Sequence, residues 1–151
     1  MSSETARLIE LIEITRDGEH FYAHAAAAVK DPSLARLFNE MAQGKRRLIE
    51  VLALTFAAHD EEPPRGGTLI GALRRHYSDA RASLAGADQS IYVKQLAEAE
   101  ERLLRAFDEA RRDASAELQQ LLDRELPQVR ACHARMQELK ALSEPARRNL
   151  G

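Results

Sequence analysis

Three glutamates stand where the surrounding pattern places apolar residues. Glu19, Glu100 and Glu125 each belong to a stripe whose members recur every three or four residues, which is the spacing by which a helix turns one face toward a core. A carboxylate buried alone on such a face is costly, so it must be neutralised, paired with a cation or bound to a metal. The sequence therefore predicts a polar site inside a helical protein.

Two Glu-x-x-Gln pairs extend this pattern, one at Glu40 and Gln43 and the other at Glu125 and Gln128. Residues three apart lie on the same side of a helix, and carboxylates are suitable ligands for hard metal ions. Glutamates from four helices form the ligand set of di-metal carboxylate bundles, in which histidine stands where these glutamines stand. The candidate metal-binding residues are Glu19, Glu40, Gln43, Glu100, Glu125, Gln128 and the inner-facing His133.

The elements that would position these residues are five predicted helices, at about residues 3–30, 32–58, 69–84, 89–112 and 116–142. Asp31-Pro32 separates the first two, because proline interrupts a helix interior but suits a first turn, where Asp31 can act as N-cap. Such a short turn makes neighbouring helices run antiparallel. The long connection over residues 59–88 can then cross from one end of a bundle to the other. We expect two antiparallel pairs in a single domain over residues 1–145, with a frayed tail at 146–151.

Two residues weaken predicted helices from within. Gly18 lies in the middle of the first helix, where glycine costs about 1 kcal/mol relative to alanine, and either close packing or a plain small-residue contact would explain it. Pro127 lies inside the last helix and removes one backbone hydrogen bond, so we expect a kink or bulge there.

The composition excludes several classes of protein. The net charge of −2 is too small to indicate a nucleic-acid partner, and no apolar run is long enough for a membrane span. The first residues lack the features of a signal peptide. Cys132 is the single cysteine, which excludes an intramolecular disulfide and a cysteine-based zinc cluster, and its place on a stripe indicates a core residue. We expect a cytoplasmic protein.

Self-association is a further expectation from the sequence. Amphipathic residues 69–84 add an element beside the bundle, and part of their face could pack against a second copy. Three apolar residues outside the inward stripes, Phe21, Ile49 and Leu104, are further candidates for that contact. We therefore expect a homodimer.

Several short runs are spread over about residues 8–142. They are Arg16-Asp17-Gly18-Glu19, Lys30-Asp31-Pro32, Leu37-Phe38, Gly71-Ala72-Leu73, Glu98-Ala99-Glu100-Glu101 and residues 129–140 with His133. Together these runs resemble a family of bacterial ferritin-like four-helix-bundle proteins classed as a domain of unknown function. The resemblance implies an all-α, ferritin-like four-helix bundle with an additional helix in the long crossover, and no established activity.

Three interpretations follow from these residues. In the first, the bundle is non-catalytic and acts in partner binding or stress physiology, because the expected histidines are glutamines and Lys45 and Arg130 lie near the inward faces. In the second, the carboxylates hold iron or manganese and support an oxidoreductase reaction. In the third, the chain is an unrelated helical interaction module whose glutamates are surface charges.

Overall fold

The computed structural model describes residues 3–58 and 89–143, and within these ranges it contains four helices and no strand. The helices are α1 (Ser3–Ala28), α2 (Pro32–Ala58), α3 (Gln89–Arg112) and α4 (Ala116–Ser143). The predicted all-α class is confirmed, and the four predicted helices that fall in these ranges have the expected boundaries to within two residues. The helix predicted at 69–84 and the tail at 146–151 lie outside the described residues. No described helix is long and apolar enough to cross a membrane.

Short capped turns join the helices of each pair. The carboxylate of Asp31 accepts the amide N–H of Ser33 at 2.9 Å, as expected for an N-cap of α2. The hydroxyl of Ser115 accepts the amide N–H of Leu118 at 3.3 Å and caps α4 in the same way. The Asp31 amide also donates to the side chain of Gln89 at 3.0 Å, which places the start of α3 beside the α1–α2 turn. α1 packs against α2 and α3, and α3 packs against α4.

Within the described ranges the apolar core forms two clusters, each with members from all four helices. Cluster 1 consists of Leu8, Leu11, Ile12, Leu48, Leu52, Phe56, Leu103, Ala106, Phe107, Ala110, Leu118, Leu121, Leu122, Leu126 and Val129. Cluster 2 consists of Phe21, Tyr22, Ala25, Ala26, Phe38, Met41, Ala42, Tyr92, Val93, Leu96, Ala97, Cys132 and Met136.

Buried polar residues separate the two clusters along three of the helices. On α1 they are Thr15 and Asp17, on α2 Lys45 and on α3 Glu100, and we call these four residues the polar layer. Glu125 on α4 is also buried and lies one turn before Val129. The polar site that the stripes predict therefore lies in the middle of the core, between the two apolar clusters.

The structure corrects one expectation about the surface. Phe21, predicted as an outer residue for dimer contact, is buried and packs in cluster 2. Ile49 and Leu104 are partly buried against cluster 1. The homodimer itself stays a prediction.

Gly18 and Pro127, the two residues expected to weaken their helices, each lie within a continuous helix. A Cβ atom built on Gly18 would meet Lys45 Cε at 4.0 Å, an ordinary van der Waals contact, so packing does not require glycine there. Pro127 lies on the exposed side of α4, and the helix continues through it to Ser143.

Candidate functional site

The centre of the polar layer is a three-residue contact around Glu100. Its carboxylate is 1% exposed, and Oε1 accepts a hydrogen bond from Lys45 Nζ at 2.7 Å. Its other oxygen, Oε2, accepts the hydroxyl of Tyr22 at 2.5 Å. The Lys45 side chain is 5% exposed, and its Nζ lies 5.9 Å from the centre of the Tyr22 ring. Both carboxylate oxygens therefore have a donor, and the buried negative charge has a buried positive partner.

Three helices bring these side chains together. Tyr22 and Glu100 occupy inward positions of α1 and α3, which pack against each other. Lys45 occupies an inward position of α2, which packs against α1 on the other side. The four-carbon stem of Lys45 extends from α2 into the interior beside the apolar residues Leu48 and Val129. At its end the ammonium forms an ion pair with the Glu100 carboxylate.

Two carboxylates of α1 make ion pairs at the edge of this layer. Glu19 Oε1 lies 3.3 Å from Arg46 Nε of α2, and Asp17 Oδ2 lies 3.7 Å from Arg102 Nη1 of α3. In each pair the carboxylate is largely buried and the arginine is about half exposed. These pairs join α1 to both of its neighbours at the level of the polar layer.

Glu125 is paired with an arginine of α2 that the sequence pattern does not single out. Its Oε1 accepts a hydrogen bond from Arg47 Nη2 of α2 at 2.5 Å. Arg130, predicted near the inward face of α4, is exposed, so that prediction is wrong. Position 130 lies five residues, or about 140° around the helix, from Glu125, which turns its side chain outward.

A small pocket lies between α2 and α4 beside these charges. Its volume is about 20 Å³, close to the space that one water molecule needs. The residues that line it are Gly44, Lys45, Arg47, Leu48, Glu125, Gln128, Val129 and Cys132.

The environment raises the pKa of two groups next to Glu100. Burial raises the pKa of the Tyr22 hydroxyl well above its ordinary value, and the adjacent Glu100 carboxylate adds to the effect. Burial also raises the pKa of the Cys132 thiol, although the Lys45 ammonium opposes this. Both groups are neutral near pH 7, so the buried charges of the centre are those of Lys45 and Glu100.

The candidate metal-binding residues are dispersed rather than gathered. Of the three predicted inward glutamates, Glu100 and Glu125 are buried and Glu19 is largely buried. Glu40 and Gln43 are exposed. Among residues 3–58 and 89–143, no group of three or more His, Cys, Asp or Glu side chains is placed to hold a metal ion.

The two remaining candidates on α4 contact other residues of the same helix. The Gln128 amide lies 3.9 Å from the Cys132 sulfur, and His133 lies 3.4 Å from the Gln137 amide. Sequence reasoning placed Lys45 near the inward face of its helix correctly but did not identify Arg47. The sequence pattern does not indicate Arg47, because its position on α2 faces outward. Only the length of its side chain brings the guanidinium to Glu125.

Alkaline pH should destabilise the protein through Tyr22. Its folded-state pKa is raised above the value of about 10 expected in the unfolded chain, so its stabilising contribution is complete below about pH 10 and is lost as pH rises toward the folded-state pKa. We expect urea midpoints of the wild type to fall more steeply between about pH 9 and about pH 11 than those of Tyr22→Phe, which has no phenol to titrate. Equal slopes in the two proteins would contradict this assignment.

A fold of four packed helices around a buried polar layer defines a helical protein of the bundle type, and comparison with known proteins assigns the family. The family model described as a domain of unknown function, DUF2383, matches residues 3–113, and the chain belongs to this family. No curated protein and no solved structure matches the chain.

Proposed function

We propose that this protein is a ferritin-like four-helix bundle without catalytic activity, in which the chain's own cations balance the inner carboxylates, and that it acts by binding a protein partner. The observation that carries the proposal is the pairing of Glu100 with Lys45 and Tyr22. A carboxylate at a metal site uses its negative charge to neutralise the metal, whereas the charge of Glu100 is already balanced by the buried Lys45 ammonium and both of its oxygens accept hydrogen bonds from buried donors.

The remaining charges support the same conclusion. Arg46 and Arg47 neutralise Glu19 and Glu125 from α2, so three carboxylates that could ligate metal each have a cationic partner. An ammonium or guanidinium group supplies the positive charge that a metal would supply, and it does so without an external ligand. The glutamines at positions 43 and 128 add neutral amides, which are weaker ligands for a transition metal than imidazole.

A metal-binding oxidoreductase is the second candidate. It is favoured by the presence of three largely buried carboxylates, Glu19, Glu100 and Glu125, on three different helices around one interior. In that case iron or manganese would have to displace Lys45 and Arg47 from their carboxylates.

Metal content and thermal stability together distinguish the two candidates. Untagged protein, purified without chelator from cells grown with added iron and manganese, would be submitted to elemental analysis. We expect no stoichiometric metal and the same melting temperature with Mn²⁺, with Fe²⁺ or with a chelator, because a ligand that does not bind the folded state cannot raise its stability.

The matched variants are Glu100→Gln, which removes the buried charge, and Glu98→Gln, which changes an exposed glutamate two residues earlier on the same helix. About one or two metals per chain in the wild type and in Glu98→Gln, lost in Glu100→Gln, would overturn the proposal. A metal-dependent rise in melting temperature with the same pattern would also overturn it.

A further inference from the structure

The cleft between α2 and α4 differs from the three close helix contacts of the described residues. The backbones of α2 and α4 approach each other less closely than those of α1 and α2, α3 and α4, or α1 and α3. The pocket of about 20 Å³ lies in this cleft. Between these two described helices, side chains rather than closely packed backbones therefore form the contact.

Arg47 spans the cleft at the level of the pocket. It begins on α2 and donates from Nη2 to Glu125 Oε1 on α4 at 2.5 Å, and both residues line the pocket. The Arg47 side chain is 55% exposed, whereas Glu125 is 8% exposed. Water and salt can thus compete for the guanidinium while the carboxylate stays in place, which makes this contact easier to break than the buried pair of Lys45 and Glu100.

An amine and a thiol line the pocket beside this ion pair. Lys45 and Cys132 line the same pocket, and both are buried. Arg47 and Gln128 are the exposed residues of this lining, so access from solvent to Lys45 or Cys132 through the pocket begins beside them.

We propose that the ion pair of Arg47 and Glu125 is a latch that closes the α2–α4 cleft, and that opening of this latch admits small solutes to the polar layer. Opening of the latch is a local conformational change, because breaking one half-exposed contact exposes little of either apolar cluster. It does not depend on whether the polar layer holds metal, and it extends the proposed function by giving the interior a controlled entrance.

Cys132 serves as the reporter, because it is the single cysteine in the chain. Its raised pKa and its burial make it react slowly with iodoacetamide while the cleft is closed. The alkylation rate of the native protein, followed by mass spectrometry, therefore measures how often the cleft opens.

The test compares two neighbouring arginines. Arg47→Met keeps most of the side chain but removes the guanidinium, and we expect it to raise the alkylation rate about fivefold, the size of effect that a half-exposed, charge-assisted contact supports. Arg46→Met removes the analogous contact to Glu19 on the α1 side of the same helix, and we expect it to leave the rate unchanged. Glu125→Gln should act like Arg47→Met, and the double variant should react no faster than either one.

Urea separates latch opening from global unfolding. Opening of the latch exposes little surface, so the alkylation rate in Arg47→Met should depend only weakly on urea below the unfolding transition. A wild-type rate in Arg47→Met, or an equal acceleration in Arg46→Met, would overturn the proposal. It would also be overturned if the rate rose with urea as steeply as the population of unfolded protein.

Discussion

Replacing Lys45 by methionine should lower the free energy of unfolding by about 3–5 kcal/mol, because the change leaves Glu100 as an uncompensated charge in the core. Methionine matches the length and stem of lysine, so the lost interaction is the ammonium and its hydrogen bond at 2.7 Å. The measurement is urea unfolding at neutral pH. Lys94→Met, at an exposed lysine of α3, is the control and should change stability by less than about 0.5 kcal/mol.

Removing the whole polar contact should restore much of that loss. The triple variant Tyr22→Phe, Lys45→Met and Glu100→Leu removes both charges of the central contact and leaves no unpartnered phenol hydroxyl there. Well-packed apolar residues often replace a buried ion pair at little or no cost in stability. We therefore expect the triple variant to be more stable than Lys45→Met alone. A triple variant as unstable as the sum of its single changes would show that the contact stabilises the fold outright.

A chain that ends at residue 113 should fail to unfold cooperatively. The family match ends there, yet α4 begins at Ala116 and contributes apolar residues to both clusters. Its loss would expose the facing side of α3 and the surface that the two clusters share with α4. We expect a poorly dispersed amide NMR spectrum and a broad urea transition for this shortened chain, as for states that lack fixed packing. The α4 residues at stake include Leu118, Leu122, Leu126, Val129 and Met136.

The control for that experiment is a chain that ends at residue 143, which keeps all four helices that the structure describes. It should unfold at the urea midpoint of the full chain. Cooperative unfolding of the 113-residue chain at the same midpoint would mean that α4 is an accessory element and that the matched span folds by itself.

The rotation of α3 about its own axis was predictable from the sequence. The stripe predicted for α3, with spacings of three and four residues, is buried at all six positions: Val93, Leu96, Glu100, Leu103, Phe107 and Ala110. The turn at Asp31-Pro32 likewise placed the start of α2 correctly, because proline and an N-cap act through local backbone geometry. The spacing of apolar residues and the capping of a helix are local properties, so both can be predicted from a single sequence.

The partners of the charged residues were not predictable in the same way. A stripe indicates which side of a helix faces inward, but not how far two helices are displaced along each other, and that displacement decides which cation of α2 meets Glu125 on α4. Glu40 was drawn into the candidate set by its spacing to Gln43, although both lie on the outer side of α2. The i, i+3 rule joins residues of one helix and carries no information about which side of that helix meets the others.

The division of the core into two clusters has a consequence for how this sequence can change over time. A volume change in Leu52 is transmitted through the packed neighbours of cluster 1, and one in Phe38 through those of cluster 2, while the polar layer lies between them. Substitutions that share no partners add independently. Each cluster can therefore be changed by mutation without compensating changes in the other cluster. Lys45 and Glu100 lie between the clusters as an ion pair, so these two residues must either both be kept or both be replaced.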